Sequence, residues 1–139
     1  MIHQKMTQNA IAAMSRLAEL YLEPNRVASS REVAESRDLP LPLVAKILTE
    51  LSRGGLVTAS PGPGGGYRLA RQPHEISLND VVQLFERESE SFCPFGPKWC
   101  GNNEPCPLHD SILAMRQIAQ NFLKNTTFAI FLAKPPRRK

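Results

Sequence analysis

The sequence predicts a mainly α-helical fold with one small β-hairpin: a winged helix-turn-helix followed by a long C-terminal dimerisation helix. Three observations predict it. Apolar residues recur at helical spacing through most of the chain, two short helical patterns follow each other with only a few residues between them, and a Gly/Pro-rich turn then separates two short extended runs. A length of 139 residues suits one ordinary domain plus an appended helix, and a hydrophobic fraction of 42% is enough for a core. No stretch approaches the roughly 20 apolar residues of a membrane span. The N-terminus lacks the apolar region and small-residue cleavage site of a secretory signal, so a cytoplasmic protein without membrane partners is expected.

The first helix runs from Met6 to about Tyr21, with Ala10, Met14, Leu17, Ala18 and Tyr21 on one apolar face, and Pro24 with Asn25 stops it. Ser29 and Glu32 stand three apart, as in a capping box, ahead of Val33 and Ala34. A second helix of the pair begins near Pro40 and Pro42, where proline in a first turn is tolerated, and carries Val44, Ile47, Leu48 and Leu51 before stopping at Gly54 and Gly55. The turn between the two falls at Arg37 to Leu39. Residues 56–59 and 67–69 read as strands around the turn at 60–66. Ser77 and Asp80 form a capping signature for a helix with Val81, Val82, Leu84 and Phe85. After a cysteine-bearing loop, Ile112, Met115, Ala119, Phe122 and Leu123 make an apolar stripe outside the compact unit, suited to packing on a second copy. Residues 125–127 are expected to cap a last short apolar helix. The division expected is 1–86 for the winged unit, 87–109 for the cysteine loop, 110–134 for the dimerisation and last helices, and 135–139 for a solvated tail.

A helix-turn-helix directs attention to double-stranded DNA. The early turns of its second helix face base edges while the first helix spans the phosphates. The groove-facing candidates are Pro42, Leu43 and Lys46; Leu43 suits a thymine methyl, and Lys46 a guanine or a phosphate. The phosphate candidates are Ser29, Ser30, Arg31 and Arg53. In the wing, Gly64, Gly65 and Gly66 let the backbone adopt positive φ and approach a partner closely, with Tyr67 beside them. The plainer alternatives are a helix pair that merely packs and an ordinary tight turn. A formal net charge of +4 permits nucleic-acid binding without requiring it.

All three cysteines, Cys93, Cys100 and Cys106, lie close together, and an odd clustered set reads as metal ligands or redox thiols rather than a disulfide framework. Six residues separate the first two, five the next two, and two lie between Cys106 and His109. Thiolates bind iron–sulfur clusters and imidazole replaces thiolate at some iron sites, so these four residues form a candidate site. Zinc competes, since three Cys and one His make a tetrahedral set, although these spacings exceed the two to four residues of usual zinc knuckles. Unliganded cysteines and a surface His109 are the bland alternatives, and His3 and His74 read as surface residues. Neither paired carboxylates nor a phosphate-binding loop accompany the cysteines, so no enzyme is expected.

Leu56 and Val57, then Gly62-Pro-Gly-Gly-Gly-Tyr67, then Ile76-Ser-Leu-Asn-Asp-Val81, then three cysteines, resemble the Rrf2 family of winged-helix transcription regulators, from about Met6 to Ala133. The resemblance implies a homodimer with crossing long helices, acting as a repressor that senses iron–sulfur, redox or nitric-oxide status through a 2Fe–2S or 4Fe–4S cluster. It also implies that Cys93, Cys100 and Cys106 are cluster ligands and that His109 is the fourth. Two departures stand out. A carboxylate ligand used by nitric-oxide-sensing members maps to Gln8, and no Asp or Glu precedes Glu19, which leaves His109 ahead of Gln8 or His3 from a partner chain. A wing arginine of other members maps to Pro61, so the operator is expected to differ. Structural zinc, direct thiol oxidation, and a protein-interaction module without DNA binding are the alternatives.

Overall fold

The computed structural model describes residues 5–86 and 107–132. Helix α1 (Lys5–Leu20) is the central element. Its Ala10, Ala13, Met14, Leu17 and Ala18 are buried, and the small alanines let several other elements approach the helix closely. Helices α2 (Ser30–Arg37) and α3 (Leu41–Arg53) pack on it and on each other. Ser29 caps α2, its Oγ accepting the Glu32 N–H at 3.1 Å. Only half of the expected capping box forms, because the Glu32 carboxylate pairs with the Arg26 guanidinium, a charge-assisted bond that outcompetes a return to the Ser29 amide.

The turn between α2 and α3 places Asp38 at φ 53, and the Leu39 N–H returns to the Ala34 carbonyl at 2.9 Å. Helix α3 starts behind Pro40 and buries Val44, Ile47, Leu48 and Leu51. It ends at Gly54, whose φ is an ordinary −78. Space explains glycine here: a Cβ would stand 2.7 Å from both methyl carbons of Leu84.

Strands β1 (Val57–Ser60) and β2 (Gly66–Leu69) pair antiparallel, with Val57 opposite Leu69 and Ser60 opposite Gly66. Ala28 adds a bridge to Tyr67, which ties the base of the hairpin to the α1–α2 connection. A short 3-10 turn (Pro73–Glu75) leads to α4 (Leu78–Phe85). Here the capping box is complete: the Ser77 N–H donates to Asp80 Oδ2 at 2.9 Å and the Asp80 N–H to Ser77 Oγ at 3.2 Å.

Helix α5 (His109–Asn125) runs beside α4, and a 3-10 turn (Phe128–Phe131) follows. No side chain caps this last turn. Instead the Leu78 N–H donates to the Thr126 carbonyl and the Phe128 N–H to the Ile76 carbonyl, both at 2.9 Å. The chain beyond α5 thus closes on the winged unit through its main chain. Phe128 is fully buried, and Leu123 joins the same core, so the C-terminal stripe does not lie wholly outside the compact unit.

Candidate nucleic-acid interface and metal-binding segment

The solvent side of α3 carries Pro42, Lys46, Thr49 and Arg53, which follow one another at intervals of four, three and four and so form a single ridge. Lys46 is exposed and forms no ion pair among the described residues. Thr49 is exposed and donates its hydroxyl to the Ala45 carbonyl at 2.9 Å, which leaves the oxygen free to accept. Leu43 stands a quarter turn from this ridge and is half-buried against the core. Arg53 lies at the far end of the helix, paired with Glu50 at 3.0 Å.

At the start of α2, Ser29 is exposed with its oxygen engaged as the cap, Ser30 is half-buried, and Arg31 is exposed without an ion pair among the described residues. The first amides of a helix lack internal acceptors and sit at the positive end of its dipole, which suits a phosphate oxygen. Arg71, just past β2, is a further exposed cation without an ion pair among the described residues. Thr49 and Arg71 were absent from the sequence candidates. Counting seven residues on from Pro42 would have found Thr49, whereas the position of Arg71 depends on how the hairpin folds back.

The wing glycines answer to the wing itself. Gly62 and Gly64 have φ of 84 and 77, which only glycine adopts freely. A Cβ on Gly65 would lie 2.0 Å from the Ser60 carbonyl oxygen, and one on Gly66 2.6 Å from that of Ala28. Tyr67 is half-buried, and its backbone exchanges hydrogen bonds with Ala28 at 2.8 and 2.9 Å. The ridge of α3 and the wing are therefore brought together on one domain, with Arg31 on α2, the helix that precedes both in sequence.

Cys93, Cys100 and Cys106 lie outside the described residues. His109 is the first residue of α5 and is half-buried. Among the described residues no group of three or more His, Cys, Asp or Glu is placed to hold a metal. The donor set itself fits iron: three thiolates and one imidazole are the soft and intermediate ligands that iron–sulfur clusters accept. No helix among the described residues is long and apolar enough to cross a membrane.

The sequence profile of Rrf2, described as an iron-dependent transcriptional regulator, matches residues 3–134. A protein of Aquifex aeolicus (strain VF5) bearing the name of a helix-turn-helix-type transcriptional regulator is 33% identical over 118 residues, covering 83% of this chain and 82% of its own. Among solved structures, CymR, the global cysteine regulator of B. subtilis, superposes with a TM-score of 0.80 at 18% identity, covering 98% of this chain and 99% of that one. IscR of T. potens gives 0.73 at 23% identity, covering 95% and 86%. These two likenesses concern the fold.

Proposed function

The chain belongs to the Rrf2 family of iron-dependent transcriptional regulators, and from this we propose that it is a homodimeric repressor whose affinity for a double-stranded operator depends on an iron–sulfur cluster. The observation that carries DNA binding is the exposed α3 ridge, with Lys46 free of ion pairing among the described residues and the wing on the same domain. Lys46 and Arg31 would meet phosphates or a guanine edge, Pro42 and Thr49 the apolar edge of a thymine. Family membership argues for regulation rather than catalysis.

Dimerisation is supported by α5, where Met115, Ile118 and Phe122 are exposed at 52%, 71% and 55%, an apolar face that water alone would not favour. Cys93, Cys100, Cys106 and His109 are the residues that would hold the cluster. When bound, it supplies an iron centre sensitive to oxidants and nitric oxide. The segment that carries these ligands enters from α4 and leaves into α5, so its state bears on both the core and the dimer helix.

Anaerobic purification tests this reading. Brown protein containing iron and acid-labile sulfide is expected, with Cys100→Ala losing the chromophore while remaining a folded dimer. Operator affinity is expected to differ between cluster-loaded and cluster-free protein. Colourless protein with stoichiometric zinc, or operator binding indifferent to chelation, would overturn the cluster assignment.

A further inference from the structure

Arg68 lies on β2 opposite Thr58, in a hairpin whose cations would be expected to face DNA. Its guanidinium is turned the other way. Nη2 donates to the Tyr21 carbonyl at 2.9 Å, and Nη1 donates to the carbonyls of Arg26 at 3.1 Å and Glu23 at 3.3 Å. The guanidinium carbon also stands 4.2 Å from the centroid of the Tyr21 ring. These carbonyls belong to the connection that follows α1, where no regular ladder supplies donors, although the Glu23 carbonyl also accepts the Arg26 N–H at 3.2 Å. The loop held in this way contains Asn25 at φ 57, and two residues after Arg26 it reaches Ala28, the bridge partner of Tyr67. One residue of β2 thus pairs with the α1–α2 connection through its backbone, and the next clamps that connection through its side chain.

We propose that Arg68 is a positioning residue that fixes the wing relative to α1 and the helix pair, and that it acts on operator affinity without contacting a phosphate. This rests on the DNA-binding reading above. A planar guanidinium can reach three carbonyls while lying against a ring; a lysine ammonium has the charge but not this geometry. The role therefore separates from simple electrostatics.

The test uses the full-length protein and a duplex that the wild type selects from a randomised pool. Arg68→Ala and Arg68→Lys are both expected to weaken binding by about tenfold, a typical step for one lost anchor, with the slope of log K against log salt unchanged. A direct phosphate contact would instead lower the slope by about 0.9 per protomer in Arg68→Ala, and Arg68→Lys would then retain both slope and affinity; either result overturns the proposal. Hydrogen exchange at the Ala28 and Tyr67 amides, measured without DNA, is expected to speed up in both variants, and unchanged exchange also overturns it. If Arg68→Ala does not fold, Arg68→Lys and Tyr21→Leu, which removes the ring but keeps the carbonyl, carry the same measurements, with the same outcomes expected. A wild type that selects no duplex sinks the DNA-binding reading itself, whereas altered slope in the variants sinks only the role of Arg68.

Discussion

Glu19 is held between two arginines. Its Oε1 accepts from Arg37 Nη2 at 2.9 Å and from Arg16 Nη1 at 3.2 Å, while Arg37 also donates to the Ala12 carbonyl at 3.2 Å. Burial on its own would raise the carboxyl, but the two arginines outweigh it and hold Glu19 below its ordinary value of 4.5. A lowered carboxylate contributes stability that is complete above its unfolded value and is lost as pH falls through the folded one. Glu19→Gln is therefore expected to lower stability by about 1 kcal/mol near neutral pH, the scale of a favourable exposed pair. The gap to wild type should shrink below pH 4.5, as read from urea midpoints at several pH values. Local features of this kind were legible only when both partners were near in sequence. The Ser77–Asp80 box could be read directly, but nothing near Arg37 signals that it reaches back to α1, and Arg26 diverts Glu32 from a box that spacing alone suggested.

The elements were legible from periodicity, and their faces less so. Helix α3 buries one dominant stripe, so the spacing of Val44, Ile47 and Leu51 identifies its inward side. The central α1 buries Ala10, Met14 and Leu17 as spacing suggests but also Thr7, Asn9 and Ser15, because elements pack on it from several sides. Helix α5 has apolar residues over a wider arc. Sequence placed Phe122 and Leu123 on one stripe, yet Leu123 enters the core while Phe122 stays exposed, and Ile118 belongs with Phe122 and Met115. That division depends on where α4 lies, which no local pattern encodes. Ile118→Asp is expected to leave the fold intact, since the side chain touches no core, and to yield a monomer with sharply weakened operator binding. Sedimentation equilibrium with and without duplex checks it, and a stable dimer in the variant would remove α5 from the interface. The cysteine spacings were equally plain in sequence, but whether they converge with His109 is a matter of a segment outside the described residues.

At the scale of the molecule, the C-terminal chain is part of the same packed unit as the winged helix-turn-helix. Phe128 is fully buried, and its own amide and the Thr126 carbonyl are bonded to residues 76 and 78. Removing the ring by Phe128→Ala is expected to cost about 3–5 kcal/mol, the range for emptying an aromatic site in a packed core. Because that site touches α1 as well as the α4 entrance, unfolding in denaturant should remain one transition, with a lower midpoint and the same slope. Two separated transitions would mean that α5 and the last turn unfold apart from the winged unit. The helices and hairpin of the winged helix-turn-helix were legible, since turns or caps announce them, whereas the 3-10 turn at Pro73–Glu75 carried no such signal. The closure by Phe128 joins residues far apart along the chain, and an apolar run near the end does not say what it covers.

The wing tip, finally, bears on how this regulator can diverge. Four of the five positions from 62 to 66 are glycines, two held by left-handed backbone and two by the absence of room for a Cβ. Nearly every single substitution there deforms the hairpin before it can alter what the hairpin meets, so the tip offers selection few usable variants. Pro42, Lys46 and Thr49 are exposed on a helix already stabilised by its buried side, and exchanges at these positions leave that packing in place. Lineages descending from this chain are thus expected to change operator preference by altering α3 while inheriting the wing almost unchanged.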